Sequence, residues 1–314
     1  MQTRLYALCL GLLLTGVFLS GCDPLEGDME VPAYIKVERF EVIENGSLSF
    51  GPQNKGFLTS EIQDVWVFVD GKYCGAYPLP CSVPLLYEGR HEVRLEPGIV
   101  LNGISSTRNP YPFYTSVTKT VDLQPGKEIS MDELCGGTLQ VKYNDWGTFP
   151  IWEDFEGSGY HFENAVGQDT TIKVIKVESA DTVGFGGHEG GDFVGAMYVN
   201  THRKDYKMLI TDSVVCTNYN GIILELDYWN NTPFEVGICG KASEGAVFRY
   251  VPAMVVKGNK ATEKRGWNKI YIVLGKVWEQ LGHTRKFKVY IRPFLNNTSE
   301  GWVYLDNIKL VHYK

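Results

Sequence analysis

The sequence predicts an all-β protein made of two β-sandwiches in tandem. Three observations carry this. The 314 residues include 34 Gly, 18 Tyr and 15 Phe, residues of turns and of half-buried strands. Short runs with period-two alternation recur along most of the chain. A helix is legible in one segment alone, Gly275 to Gly282 (GKVWEQLG), and it has room for two turns at most. Apolar residues at 44% against charged residues at 21% mark a folded chain. The excess of 37 Asp+Glu over 30 Lys+Arg excludes a nucleic-acid binder, which needs a concentrated basic surface to displace counterions.

Met1 to Leu19 (MQTRLYALCLGLLLTGVFL) sets one Arg before an apolar run too short to span a bilayer, the pattern of a secretory signal. It leads into Leu19-Ser20-Gly21-Cys22, which resembles the bacterial lipobox. The resemblance implies removal of residues 1–21 and acylation of Cys22, whose thiol can form the thioether to diacylglycerol. Several acyl chains on one residue anchor stably. Residues 22–30 then form an acidic tether carrying Asp23, Glu26, Asp28 and Glu30. Such a stretch resembles the export signal of Bacteroidota surface lipoproteins, whereas Asp directly after the Cys resembles an inner-membrane retention signal of other Gram-negative lineages. The expected address is the outer membrane, on its periplasmic or cell-surface face.

Of seven Cys, Cys9 leaves with the signal and Cys22 takes lipid. Cys74, Cys81, Cys135, Cys216 and Cys239 remain, an odd number that leaves at least one unpaired or bridging between molecules. Cys74 and Cys81 read either as a disulfide of an oxidising compartment or as thiols packed like small apolar residues. No Cys-x-x-Cys occurs, which argues against a thiolate zinc site or a redox motif.

Residues 31–143 read as the first sandwich. Pro32 to Val42 alternates apolar and polar residues as a half-buried strand does. Asp64 to Val69 is an apolar run, and Asp70-Gly71 after it is a hairpin signal because both positions tolerate positive φ. Lys72 to Tyr77, Ser82 to Tyr87, His91 to Glu96, Tyr114 to Leu123 and Thr138 to Tyr143 follow at sandwich spacing. The order DVWVFVDGKYCG, LPCSVPLL, YEGRHEVRLEPG, with Val31 to Ile35 and Gly98 to Arg108, resembles the N-terminal Ig-like (PEGA-like) domain of a group of Bacteroidota cell-envelope lipoproteins. That resemblance implies a spacer or scaffold with no activity to carry over.

Asn144 to Pro150 (NDWGTFP) reads as a linker broken by Gly and Pro, and residues 151–314 as the second sandwich. Its strands are Phe193 to Val199, Ile222 to Tyr228, Phe234 to Ile238, Ala246 to Val251, Trp267 to Leu274, Phe287 to Ile291 and Trp302 to His312. The opening Glu153-Asp154-Phe155-Glu156, the central Trp267 to Leu274 and the closing Val303 to Leu310 (VYLDNIKL) resemble jelly-roll domains of the galactose-binding or carbohydrate-binding-module type.

The jelly-roll resemblance implies two sites. A structural Ca2+ in such modules ties the first strand to the last, since a hard cation needs six to eight oxygens. The matching positions are Glu153, Asp154, Glu156 and Asp306. Glycan binding would set aromatic faces against the apolar faces of pyranose rings, beside Asn, Asp or Arg. Tyr228-Trp229-Asn230-Asn231 and Arg292 supply both ingredients, with Trp278 and Trp302 as further aromatics. The competing role for each Trp is sandwich core.

Linear catalytic motifs are missing. His188-Glu189 lacks the second His of a zincin helix, and Gly184 to Gly191 lacks the Gly-Lys-Ser/Thr ending of a phosphate loop. There is no Gly-x-Ser-x-Gly elbow. A carboxylate pair for glycoside hydrolysis leaves no linear trace and stays open. Asp169, Asp181 and Asp212, each followed by Thr or Ser, resemble the Bacteroidota O-glycosylation motif. The expectation is a non-catalytic envelope protein, held to the membrane by its lipid and presenting its jelly roll to a glycan. The alternative is an outer-membrane structural or assembly component working through protein contacts. Whether Trp229 and its neighbours line an open surface or lie in the core separates the two.

Overall fold

The alternating runs form strands in a computed structural model that describes residues 30–48, 58–158, 161–164, 175–178, 193–202, 208–210, 213–215, 221–258, 266–282, 284 and 286–314. The signal, Cys22, Cys216, the 184–191 glycine-rich segment and the Asp of each glycosylation-like motif (Asp169, Asp181 and Asp212) lie outside the described residues.

The first sandwich comprises β1 (Ala33–Val37), β2 (Phe40–Val42), β3 (Asp64–Val69), β4 (Lys72–Pro78), β5 (Cys81–Leu85), β6 (Gly89–Val100), β7 (Arg108–Pro110), β8 (Val117–Leu123), β9 (Glu128–Ser130) and β10 (Leu139–Val141). One sheet runs β4-β3-β6-β7 with β8 also on β6, and two small sheets run β5-β1-β9 and β10-β2. The run expected as one strand from Pro32 to Val42 is two: β1 pairs with β5 and β9, while β2 pairs with β10, and the exposed Glu38-Arg39 lies between them. The Asp-Gly hairpin forms as expected. Asp70 (φ 49°) and Gly71 (φ 77°) take the positive-φ positions, and the Asp70 carboxylate accepts the Glu92 N–H at 3.0 Å and meets His91 Nδ1 at 2.6 Å. Alternate residues Val65, Val67, Val69, Val93 and Leu95 are fully buried, which puts one face of β3 and β6 in the core. Cys74, Cys81, Cys135 and Cys239 are free thiols.

The second sandwich comprises β11 (Gly147–Glu153), β12 (Phe162–Asn164), β13 (Ile175–Glu178), β14 (Phe193–Asn200), β15 (Met208–Ile210), β16 (Val214–Val215), β17 (Ile223–Asn230), β18 (Phe234–Gly240), β19 (Arg249–Val256), β20 (Asn268–Val273), β21 (Lys286–Pro293) and β22 (Glu300–Tyr313). One sheet runs β13-β14-β22-β17-β20 with β11 on β22, and the other runs β12-β15-β21-β18-β19 with β16 on β21. Leu224, Leu226, Val236, Ile238, Val289, Ile291, Val303 and Leu305 from both sheets share one core. The expected helix is present at Gly275–Gln280. Gly147 to Pro150 is no linker: these residues open β11, and Gly147 pairs with Tyr313.

A β-bulge in β22 sets what each end of that strand presents. Glu225 pairs with Lys309 and Asp227 with Asp306, so two steps on β17 face three on β22. Asn307 lies at the bulge with φ 49°. Val303 and Leu305 point into the core before it, and Ile308 and Leu310 after it. Trp302 and Tyr304 therefore share the outer face with Lys309, Val311 and Tyr313. The far end of that face is covered by the first sandwich, because Ile223, Tyr271 and Val311 are buried in the same cluster as Val65 and Leu95. Tyr271 bridges Leu101, and its carbonyl accepts the Asn102 N–H at 2.7 Å.

Candidate functional site

The uncovered end of the outer face carries aromatic side chains in register. Tyr198 on β14 lies opposite Trp302 on β22, and Tyr304 lies opposite Trp229 on β17. The Trp302 and Tyr304 rings stack, with centroids 4.5 Å apart and planes at 25°. Trp229 meets the Trp302 ring edge-on at 5.2 Å. Tyr198 meets Tyr304 edge-on at 6.2 Å, and their hydroxyls are 3.3 Å apart. Burial and this hydroxyl contact push the Tyr304 phenol up.

Polar residues border the aromatics. Asn200 and Glu300 are opposed in register and both exposed, on the same face as Tyr198 and Trp302 by strand parity. Asn231 clamps Trp302: its N–H donates to the Trp302 carbonyl at 3.1 Å, and its side-chain oxygen accepts the Trp302 N–H at 2.6 Å. This fixes the indole's backbone and leaves the Asn231 NH2 on an exposed residue. Tyr198 is 39% exposed, and Trp302 and Tyr304 are partly exposed.

Residues expected to bind ligand are divided by this geometry. Tyr228 packs toward the core against Phe234, with centroids 5.6 Å apart. Asn230 is fully buried and donates to the carbonyls of Thr232 and Lys257. Trp229 is on the outer face but only 6% exposed, so it supports Trp302 from below. Asn231 is at the surface. Arg292 is on the other sheet, paired with Glu235 at 3.0 Å. Trp278 is core, its indole N–H donating to the Thr284 carbonyl at 2.6 Å. Period two places neighbours in a strand on opposite faces, so a consecutive Tyr-Trp-Asn triplet cannot share one surface. Tyr198, Tyr304, Asn200 and Glu300 were not singled out from sequence; the Trp302-x-Tyr304 spacing was the available signal.

The acidic residues expected to hold Ca2+ are not gathered, and no group of three or more His, Cys, Asp or Glu side chains suited to a metal occurs among the described residues. Glu153 accepts the N–H groups of Phe155 (2.8 Å) and His161 (2.6 Å), and burial raises its pKa. Asp154 accepts from Glu156, Glu156 from Phe193, and Asp306 from Asn307. These carboxylates accept backbone N–H groups.

Where the outer face passes under the first sandwich, it buries four charges. Glu225 and Lys309 are fully buried, 3.3 Å apart. Lys269 lies 3.1 Å from Asp227 and 3.6 Å from Glu225. The first sandwich completes the cluster: Tyr111 donates to Glu225, Tyr143 donates to Glu225 at 2.9 Å, and Lys309 donates to Tyr143 at 2.8 Å. Burial pulls the Lys309 pKa down to about 7 despite Glu225. Burial also opposes ionisation of Glu225, but Lys309 and Lys269 outweigh it and hold the carboxyl below its usual range. Lys269 is held above its usual value because Asp227 and Glu225 outweigh its burial.

The molecule is thus a pair of β-sandwiches joined through a buried polar and aromatic seam, with a polar-rimmed aromatic surface on one sheet. No protein-family profile and no curated protein matches the chain. Among solved structures it is similar to carbohydrate-binding modules of the β-sandwich superfamily studied for promiscuous specificity, at 16% identity, over 90% of this chain and 99% of that one, with a TM-score of 0.37. It is also similar to the K2 cleaved adhesin domain of Lys-gingipain, at 14% identity over 51% of this chain and 98% of that one, with a TM-score of 0.34. The family 11 carbohydrate-binding module of the cellulase Lic26A-Cel5E of Clostridium thermocellum matches at 14% identity, over 52% of this chain and 94% of that one, with a TM-score of 0.34.

Proposed function

We propose that this is a non-catalytic, lipid-anchored envelope protein that binds glycan on the outer face of its second sandwich. One observation carries the glycan reading: Trp302, Tyr304 and Tyr198 form a partly exposed aromatic cluster, rimmed by Asn200, Asn231 and Glu300, on a part of that sheet face away from the contact with the first sandwich. Sugars present both an apolar C–H face and a ring of hydroxyls. Rigid aromatics beside amide and carboxylate groups meet both demands with little loss of side-chain entropy.

Binding of the soluble fragment 23–314 to plant, host and bacterial polysaccharides tests this. Saturable binding to at least one polysaccharide is expected, with a loss of ten-fold or more in Trp302→Ala and a smaller loss in Tyr198→Ala. No saturable binding to any of them, or binding indifferent to Trp302→Ala, overturns the reading. Anchoring is supported by the Leu19 to Cys22 motif; incorporation of labelled palmitate in cells, abolished by Cys22→Ala, is its test, and an unlabelled wild type overturns it.

A further inference from the structure

We propose a second saccharide site, in the cleft where the first sandwich meets the 144–147 turn. The cleft has a volume of about 530 Å³ and is lined by residues that include Arg94, Glu96, Ser116, Trp146 and Tyr313, within the range of small-ligand pockets and at the domain junction where such pockets occur. The proposal stands on this cleft alone and shares only its ligand class with the aromatic surface on the second sandwich.

Trp146 forms one wall. It is 54% exposed, yet it is held: its indole N–H donates to the Pro112 carbonyl at 3.2 Å, and its own carbonyl accepts the Lys314 N–H at 3.0 Å. An exposed indole fixed at both ring and backbone is a preorganised stacking surface. Asn144, at the start of the same turn, is buried and donates to the carbonyls of Pro112 and Tyr114 at 3.1 and 2.8 Å. The turn is therefore tied to the 112–114 segment by side-chain hydrogen bonds.

The facing side comes from β6. Arg94 and Glu96 are successive outward residues of that strand and pair with one another. Arg94 also lies over the Phe68 ring, 4.1 Å from its centroid, which holds the guanidinium flat. The pair cancels in charge while keeping N–H donors and carboxylate oxygens side by side, the arrangement that meets neighbouring hydroxyls. Thr115 and Ser116 add hydroxyls, and Thr115 already accepts the Lys142 N–H at 3.0 Å, leaving its own O–H to donate. An aromatic wall, a charge-neutral donor and acceptor pair and hydroxyls at the rim select an uncharged sugar over an anion or a cation.

The test uses the fragment 23–314 carrying Trp302→Ala, so that the other surface is disabled. Neutral mono- and oligosaccharides are titrated while the indole N–H resonance of Trp146, assigned by its loss in Trp146→Ala, is followed by NMR. A saturable shift of that resonance is expected for at least one neutral sugar, and Ser116→Trp, which fills the cleft without removing a contact from the fold, is expected to weaken it ten-fold or more. No shift with any sugar at millimolar concentration overturns the proposal, as does a shift unaffected by Ser116→Trp. Sugar binding that vanishes wholly with Trp302→Ala overturns this site and leaves the first; a wild type in which sugar shifts the Trp146 indole but not that of Trp302 does the reverse.

Discussion

Glu225 faces two buried ammonium groups, and the two sides of that cluster respond differently to mutation. Glu225→Gln leaves Lys269 and Lys309 buried without the carboxylate they share; a cost of about 3–5 kcal/mol is expected. Lys309→Met removes a charge that burial already disfavours, and Glu225 keeps Lys269, Tyr111 and Tyr143; less than half of the Glu225→Gln cost is expected in urea denaturation. The pH dependence has a definite sign. Glu225, depressed in the folded state, contributes stability above its unfolded pKa and loses it as pH falls through its folded value. Lys309, depressed from 10.5 to about 7, weakens the fold most while it is charged in both states, below its folded pKa. That cost is relieved as pH rises toward the unfolded value, because the unfolded chain then binds the extra proton. Unfolding free energy is therefore expected to rise from about pH 7 toward pH 10.5 in the wild type, with a visibly smaller rise in Lys309→Met.

At the scale of the strand, the bulge at Asn307 decides which residues of β22 are core and which are surface. Deleting Asn307 removes the extra residue, so β22 runs in plain alternation with Leu305, Ile308 and Leu310 still facing the core and Lys309 still facing the seam. Soluble, folded protein is therefore expected by circular dichroism and yield, less stable than the wild type by the lost Asn307 to Asp227 hydrogen bond. Asn307→Gly keeps the register and accepts φ 49°, so it is expected to fold. The same strand shows what the sequence discloses. The Asp70-Gly71 hairpin, the β22 run and the helix at Gly275–Gln280 were legible because turn chemistry and periodicity are local, whereas the one-turn helix at Met131–Cys135 was too short to show a period. The bulge was not, since Leu305-Asp306-Asn307-Ile308 reads as unbroken alternation gone briefly irregular. Nor was the seam: Glu225, Lys269 and Lys309 are charged residues within strands, a pattern that reads as solvent-facing, and their burial depends on tyrosines more than 80 residues away in the chain. Trp229 lies on the outer face of β17, and the exposed rings beside it belong to β14 and β22.

The whole molecule follows from that seam. The first sandwich was expected as a spacer tied on through a linker, yet β11 begins directly after the 144–146 turn, and Tyr111, Tyr143 and Tyr271 sit in one buried cluster with both sandwiches. Domains that share a buried ionic and aromatic core unfold together, so one calorimetric transition is expected for the fragment 23–314. Paired Tyr111→Phe and Tyr143→Phe substitutions strip Glu225 of two donors with little change of shape, and they are expected to split or broaden that transition. Rigidity also bears on binding. Trp302 and Tyr313 are eleven positions apart on β22, which at strand rise sets the aromatic surface and the seam cleft about 35 Å apart. Two sites held at a fixed separation engage one long polymer with an avidity that a loose joint loses. The double Tyr→Phe variant is therefore expected to bind short oligosaccharides as the wild type does while its affinity for polymer falls several-fold. Equal losses for short and long sugars would instead mean that the seam acts only on stability, with no part in spacing the two surfaces.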